Sequence, residues 1–258
     1  MSAAVIAPAP AHSAVLPWSA LRIVVIVLGW ITWVLVVDAQ AGIAVQRALG
    51  VGTWSLLALL LLRETPLVRV QTLIVVAFAS CVEYTFSPYL GVYLYRFDNV
   101  PAYVPPGHGL VYLAALAIGR TAYVRARSGP LAVLVLLVGG CWAAYGVTLA
   151  PRPDALGAFW FLCLAAFLRW GPSRGLYVGA FLVVSYLELL GTSLGTWAWQ
   201  PHDPTGIVSI GNPPSGAAGG YGWFDLAALT SAPAVLQGIR STARRRRSRK
   251  QRVAADVR

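Results

Sequence analysis

SYLELLGTSLGTWAWQ, residues Ser185 to Gln200, begins as a membrane helix and then sets Glu188 among leucines, with small and aromatic residues behind it. An earlier stretch, SCVEYTFSPYLGVYLYR from Ser80 to Arg96, repeats the plan around Glu83. What surrounds two such carboxyls depends on the solvent of the chain. Of 258 residues, 58% are apolar and 11% charged, and the mean hydropathy is +0.68. Soluble domains carry roughly 25% charged residues, so the chain reads as an all-α, polytopic integral membrane protein.

A helix needs about 20 residues to cross a hydrocarbon core of about 30 Å. Apolar runs broken by Arg, Pro and turn residues predict about eight spans, near 19–38, 43–62, 66–87, 107–124, 130–150, 155–169, 175–195 and 214–237. Arg47 interrupts the second, and the sixth is short. The net charge of +11 is mostly local, with nine of the twenty basic residues between Arg240 and Arg258. RRRRSRK, Arg244 to Lys250, reads as a cytoplasmic tail beside anionic headgroups, with no nucleic-acid partner. With that tail inside, both termini are cytoplasmic and the protein is multi-pass in the cell membrane. Arg63, Arg69, Arg120, Arg125, Arg127, Arg169 and Arg174 then fall on the inner side and Asp38, Asp98, Asp154 and Asp203 on the outer. Arg96 and Arg152 are the exceptions.

The two halves match. Arg63–x–x–Pro66 aligns with Arg169–x–x–Pro172, and a glutamate follows fourteen residues after Arg69 and after Arg174. LGVYLY (Leu90 to Tyr95) then matches LGTWAW (Leu194 to Trp199), and VPPGHG (Val104 to Gly109) matches NPPSGA (Asn212 to Ala217). The offset of about 105 residues spans four helices, an even number, which predicts two parallel four-helix repeats. The organisation expected is a disordered lead at 1–18, repeats at 19–124 and 130–237, and a basic tail at 238–258. Cys81, Cys141 and Cys163 lie in apolar runs without metal-ligand spacing and read as small core residues.

An ionised carboxylate facing lipid costs about 2.5–3.5 kcal/mol or more, so Glu83 and Glu188 are expected at a cavity between the repeats. Asp225, in GGYGWFDLAAL, is a third acid within a span, and His108 stands just after the first Pro-Pro. These four are the candidate catalytic residues. Tyr93, Tyr95, Trp197 and Trp199 alternate at i and i+2, which suggests extended segments over a site, and Asn212 joins them as a candidate substrate contact. Ser87–x–x–x–Gly91 and Gly191–x–x–x–Gly195 suit close helix packing. VPPGHG and NPPSGAAGG are expected as loops that re-enter the membrane.

The chain has no HExxH, CxxC or Ser-His-Asp order and no glycine-rich phosphate loop after a strand, so neither a metal nor a cofactor is expected. Buried carboxylic acids suit proton donation to an apolar substrate. Glu188–x–x–Gly191–x–x–x–Gly195–x–x–x–Trp199, with the Gly/Pro loop and aromatic span after it, resembles the carotenoid biosynthesis membrane family over residues 183–225. That family includes carotenoid 1,2-hydratases of the bisanhydrobacterioruberin type. The resemblance implies addition of water to the end of an acyclic isoprenoid, a hydrophobic small molecule taken from the bilayer. Trp197 and Trp199 stand where the family has tyrosines. Tandem-repeat lycopene cyclases are a poorer analogy, because their Pro-x-Glu-Glu motif is absent. The same acids would also suit a proton-coupled transporter or a lipid-binding protein.

Overall fold

A computed structural model describes the backbone of residues 19–256 and the side chains through residue 243. The lead at 1–18 and the side chains of Arg244 to Lys250 lie outside that description. The chain is mostly helical: α1 Ala20–Asp38, α2 Ile43–Leu61, α3 Pro66–Tyr84, α4 Val104–Arg120, α5 Ala122–Ala126, α6 Ser128–Thr148, α7 Ala155–Trp170, α8 Arg174–Ser193 and α9 Ala217–Asp256. A π-helical turn, Thr85–Tyr89, prolongs α3, and two short strands, β1 Tyr93–Tyr95 and β2 Trp197–Trp199, follow α3 and α8. Among the described residues, five helices (α1, α2, α3 with its π-turn, α6 and α8) are long and apolar enough to cross a membrane.

A helix stands at each of the eight predicted positions, with instructive differences at the ends. The fourth starts at Val104 rather than 107, because Pro105 and Pro106 occupy its first turn, where their missing N–H groups cost nothing. VPPGHG is therefore the first turn of a helix and not a re-entrant loop. Thr121 ends α4 and caps α5 with its hydroxyl. Arg47 does not interrupt α2, since it is exposed and only one turn from the helix start. The backbone of the basic tail continues α9 to Asp256.

α4 packs most closely on α8, and α3 on α9. Gly179 permits the first contact: a Cβ there would lie 2.4 Å from the carbonyl oxygen of Ala115. Large apolar side chains, among them Leu21, Val51, Leu59, Leu137 and Leu162, are exposed on the outer helix faces. Such a surface suits lipid and not water. Cys81 and Cys141 lie on that outer surface and Cys163 is half-buried, which corrects their reading as core residues. An outer face as apolar as the core gives a small thiol no reason to prefer the inside.

Arginines gather at one end of the bundle, where Arg120 pairs with Glu64 at 3.4 Å and Arg69 caps the carbonyls of Leu61 and Leu62. At the opposite end β1 and β2 pair antiparallel, Tyr93 against Trp199, Leu94 against Ala198 and Tyr95 against Trp197. Arg96 and Arg152, the two basic residues out of place by charge, tie this strand end together. Arg96 donates to the carbonyls of Asp38 and Ala41, and Arg152 to those of Trp199, Gln200 and Ile210. Buried Asp38 accepts from Gln46 and Tyr103. Asp154 caps α7 and accepts from the backbone N–H groups of Gly157, Gly211 and Ser215. These two aspartates are structural acceptors.

Candidate functional site

Each glutamate sits near the strand end of its helix, and the chain then turns back over it. The turn needs a left-handed backbone, supplied by Gly91 at φ +64° and Gly195 at φ +68°. Gly191 serves a different purpose: a Cβ there would fall 1.8 Å from the Trp197 ring, so the glycine seats the indole. The small residues four apart are thus turn and seat residues, a correction to their reading as a helix–helix packing motif. In the first half Pro88, which has no N–H to continue an α-helix, stands inside the π-turn that precedes Gly91.

The returning strands place two donors on each carboxyl. Tyr93 and Tyr95 donate to Oε2 of Glu83 at 2.9 and 2.8 Å. Trp197 and Trp199 donate through Nε1 to Oε2 of Glu188 at 3.2 and 3.1 Å. All six residues are buried. The donor sets then diverge. His108 Nε2 lies 2.8 Å from Oε1 of Glu83, whereas no hydrogen bond among the described residues reaches Oε1 of Glu188.

Both glutamates and His108 line one cavity of about 280 Å³. Its walls are largely apolar and aromatic, drawn from α1 (Ile31, Val34, Leu35), α4 (Leu110, Val111) and residues such as Tyr221 on α9. Tyr93, Tyr95, Trp197 and Trp199 form its lid at the strand end. Phe78, Phe86 and Trp223 line it and are also exposed on the outer surface, so the cavity reaches the apolar flank between α3 and α9.

Seven of the nine sequence-derived candidates line this one cavity, and the other two, Asp225 and Asn212, lie elsewhere than expected. Asp225 is buried but does not line the cavity, although Trp223 and Phe224 just before it on α9 do. Asn212 is exposed, and its Oδ1 accepts the backbone N–H of Trp199 at 3.0 Å, a brace for β2 rather than a substrate contact.

Sequence reasoning missed Tyr221, which stacks on His108 with ring centroids 4.9 Å apart. It also missed Trp160, edge-on to Trp199 at 5.6 Å, and the Trp30–Thr53 hydrogen bond of 3.0 Å at the cavity wall. The signal for Tyr221 was its place four residues before Asp225, one helical turn away. Comparison with protein-family models, with curated proteins and with solved structures finds no match for this chain.

Proposed function

We propose that this protein is a membrane enzyme that protonates a double bond of a lipid-soluble, carotenoid-like isoprenoid, with hydration as the outcome. In this reading the eight helices span the cell membrane as two parallel four-helix repeats, with both termini cytoplasmic. The matching glutamate–strand units and the strand pairing centred on Leu94 and Ala198 support that architecture. The observation that carries the function is that two carboxyls, unlike in their donors, open on one apolar cavity that reaches the lipid-suited flank.

Glu188, with its free Oε1, is the acid. Its O–H bond breaks as a C–H bond forms at the less substituted carbon of the terminal double bond, leaving a tertiary carbocation on the other carbon. The aromatic faces of the lid steady that positive charge. A water oxygen then forms the C–O bond, and the proton it sheds passes to the Glu83–His108 pair, which returns a proton to Glu188 between turnovers. The net change is addition of one water across the double bond. Pocket shape, rather than polar contacts, selects the substrate.

Mass spectrometry of pigments from cells making acyclic carotenoids, with and without the protein, tests the proposal. A product heavier by one water, lost in Glu188→Gln, is the expected result. An isomer of unchanged mass would replace hydration by cyclisation or isomerisation. No product from well-expressed protein, together with proton flux in vesicles, would favour the proton-coupled transporter, a reading that the near-equivalence of the two glutamates supports.

A further inference from the structure

Among the described residues that line the cavity, three are exposed: Phe78 (39%) on α3, Phe86 (36%) on its π-turn and Trp223 (48%) on α9. The other lining residues are buried or half-buried. On the α1 side Ile31, Val34 and Leu35 are buried, and the strand end is covered by the paired β1 and β2. The cavity therefore meets the lipid-suited surface along one border, the seam between α3 and α9, and that border is aromatic.

Ring contacts run without a break from that mouth to the acids. Phe78 meets Phe224 edge-on with centroids 5.1 Å apart, and Phe224 meets His108 in the same way at 5.5 Å. Tyr221 lies edge-on to Phe224 at 5.7 Å and stacks on His108, whose Nε2 is 2.8 Å from Glu83. A chain that enters beside Phe78 thus has aromatic rings along its way to the carboxyls. The size of the cavity decides how much of the chain can follow. An apolar cavity of about 150 Å³ accommodates one benzene ring. At about 280 Å³ this one holds on the order of a dozen carbon atoms, about two isoprene units. A carotenoid-like molecule is several times longer, so most of it has to remain outside.

We propose that the cavity takes a long acyclic isoprenoid end-first through the mouth formed by Phe78, Phe86 and Trp223, encloses only its last two or so isoprene units, and leaves the remainder in the bilayer along the α3–α9 seam. The exposed rings at the mouth give that remainder an apolar rest, and Phe78 and Phe224 set the width through which the end must pass. The protein then recognises a chain end and not a whole molecule. This deepens the reading above and rests on it for the chemical class of the chain. The mode of entry itself is open to a test in which no turnover takes part.

The test uses the full chain in nanodiscs, as the Glu188→Gln variant so that nothing is consumed. Two probes are compared by fluorescence anisotropy: a long acyclic isoprenoid with a bulky fluorophore on one end and the other end free, and the same chain with the fluorophore on both ends. The acyl chains of the nanodisc surround the mouth in excess, so binding above them reports a preference for the isoprenoid. The chain with one free end is expected to bind, and the doubly capped chain to bind at least tenfold more weakly. Phe78→Trp, which adds bulk at an exposed position, is expected to weaken binding of the free end about tenfold, while Leu137→Trp on a distant outer face leaves it unchanged. Equal binding of the two probes, or binding of neither, overturns the proposal, and unchanged affinity in Phe78→Trp overturns the placement of the mouth. Free-end binding by a protein whose native form makes no hydrated product keeps the mouth and sinks the hydratase reading. Hydrated product without any preference for a free end does the reverse.

Discussion

The two glutamates stand in nearly the same scaffold and in different chemical company. Glu83 is held on both oxygens by groups that exchange protons: Tyr93, Tyr95 and His108. Glu188 is held on one oxygen by two indoles, which donate a hydrogen bond but do not titrate. A carboxyl held on both oxygens is suited to storing and passing a proton. A carboxyl pinned on one side and open on the other is suited to meeting a substrate. One scaffold thus holds two carboxyls in different surroundings, and the donors, rather than the acids, carry the distinction.

The largest effect expected from this difference is on turnover. Glu188→Gln keeps an oxygen for the indoles, so the protein should fold, while product formation falls by about 10²- to 10⁴-fold, the usual worth of a general acid. Glu83→Gln should be slowed less, because water can still take and return protons. Product measured per unit of folded protein checks both, and equal losses would erase the division of roles.

Next in size is a packing difference. Gly191→Ala drives a methyl group into the Trp197 ring and should cost about 1–3 kcal/mol. Ser87→Ala, at the matching place in the first half, removes only one oxygen and should cost less. Thermal unfolding of the two variants in detergent ranks them; the reverse order would mean that the two lids are not seated alike.

Smaller again is the loss of one donor. Tyr95→Phe leaves Glu83 with Tyr93 and His108, and the loss of one buried hydrogen-bond partner should cost about 1–3 kcal/mol. Trp199→Phe leaves Glu188 with one indole and should cost toward the lower end of the same range. Denaturation of both variants tests whether the tyrosine lid is the tighter one.

The smallest effect lies in the loops. The connection after β2 is longer than that after β1, and Asp203 pins it by accepting from Thr205, Ile207 and Val208. Those hydrogen bonds, the Thr205 hydroxyl first, hold the Asp203 carboxyl below the usual aspartate range. A folded-state value lower than the unfolded one means that the contribution is present above the ordinary aspartate pKa and is lost as pH falls through the lowered value. Limited proteolysis at falling pH should therefore open the loop after β2 and spare the one after β1.

Much of the site was legible because its parts repeat. Glu83 and Glu188 announced themselves as acids at a fixed distance from arginines, and the alternating aromatics announced strands. The glycine spacing misled, because four residues apart describes a helix face and a turn equally well until φ is known. Asp225 misled because depth along a helix says nothing of the direction its side chain takes around the axis. Arg96 and Arg152 looked like failures of a charge rule, yet carbonyl groups at loop ends need donors wherever they lie.

By itself the sequence determined that the chain is helical and apolar enough for a membrane, and that two acids recur a little over one hundred residues apart. Those properties are local or additive, and composition and spacing suffice for them. Only the tertiary structure decided that β1 pairs with β2, that both acids share a cavity, and that His108 joins Glu83 alone. Each of these depends on how helices distant in the chain are rotated against one another. That rotation is set by the close packing of whole faces, which no single stretch of sequence contains.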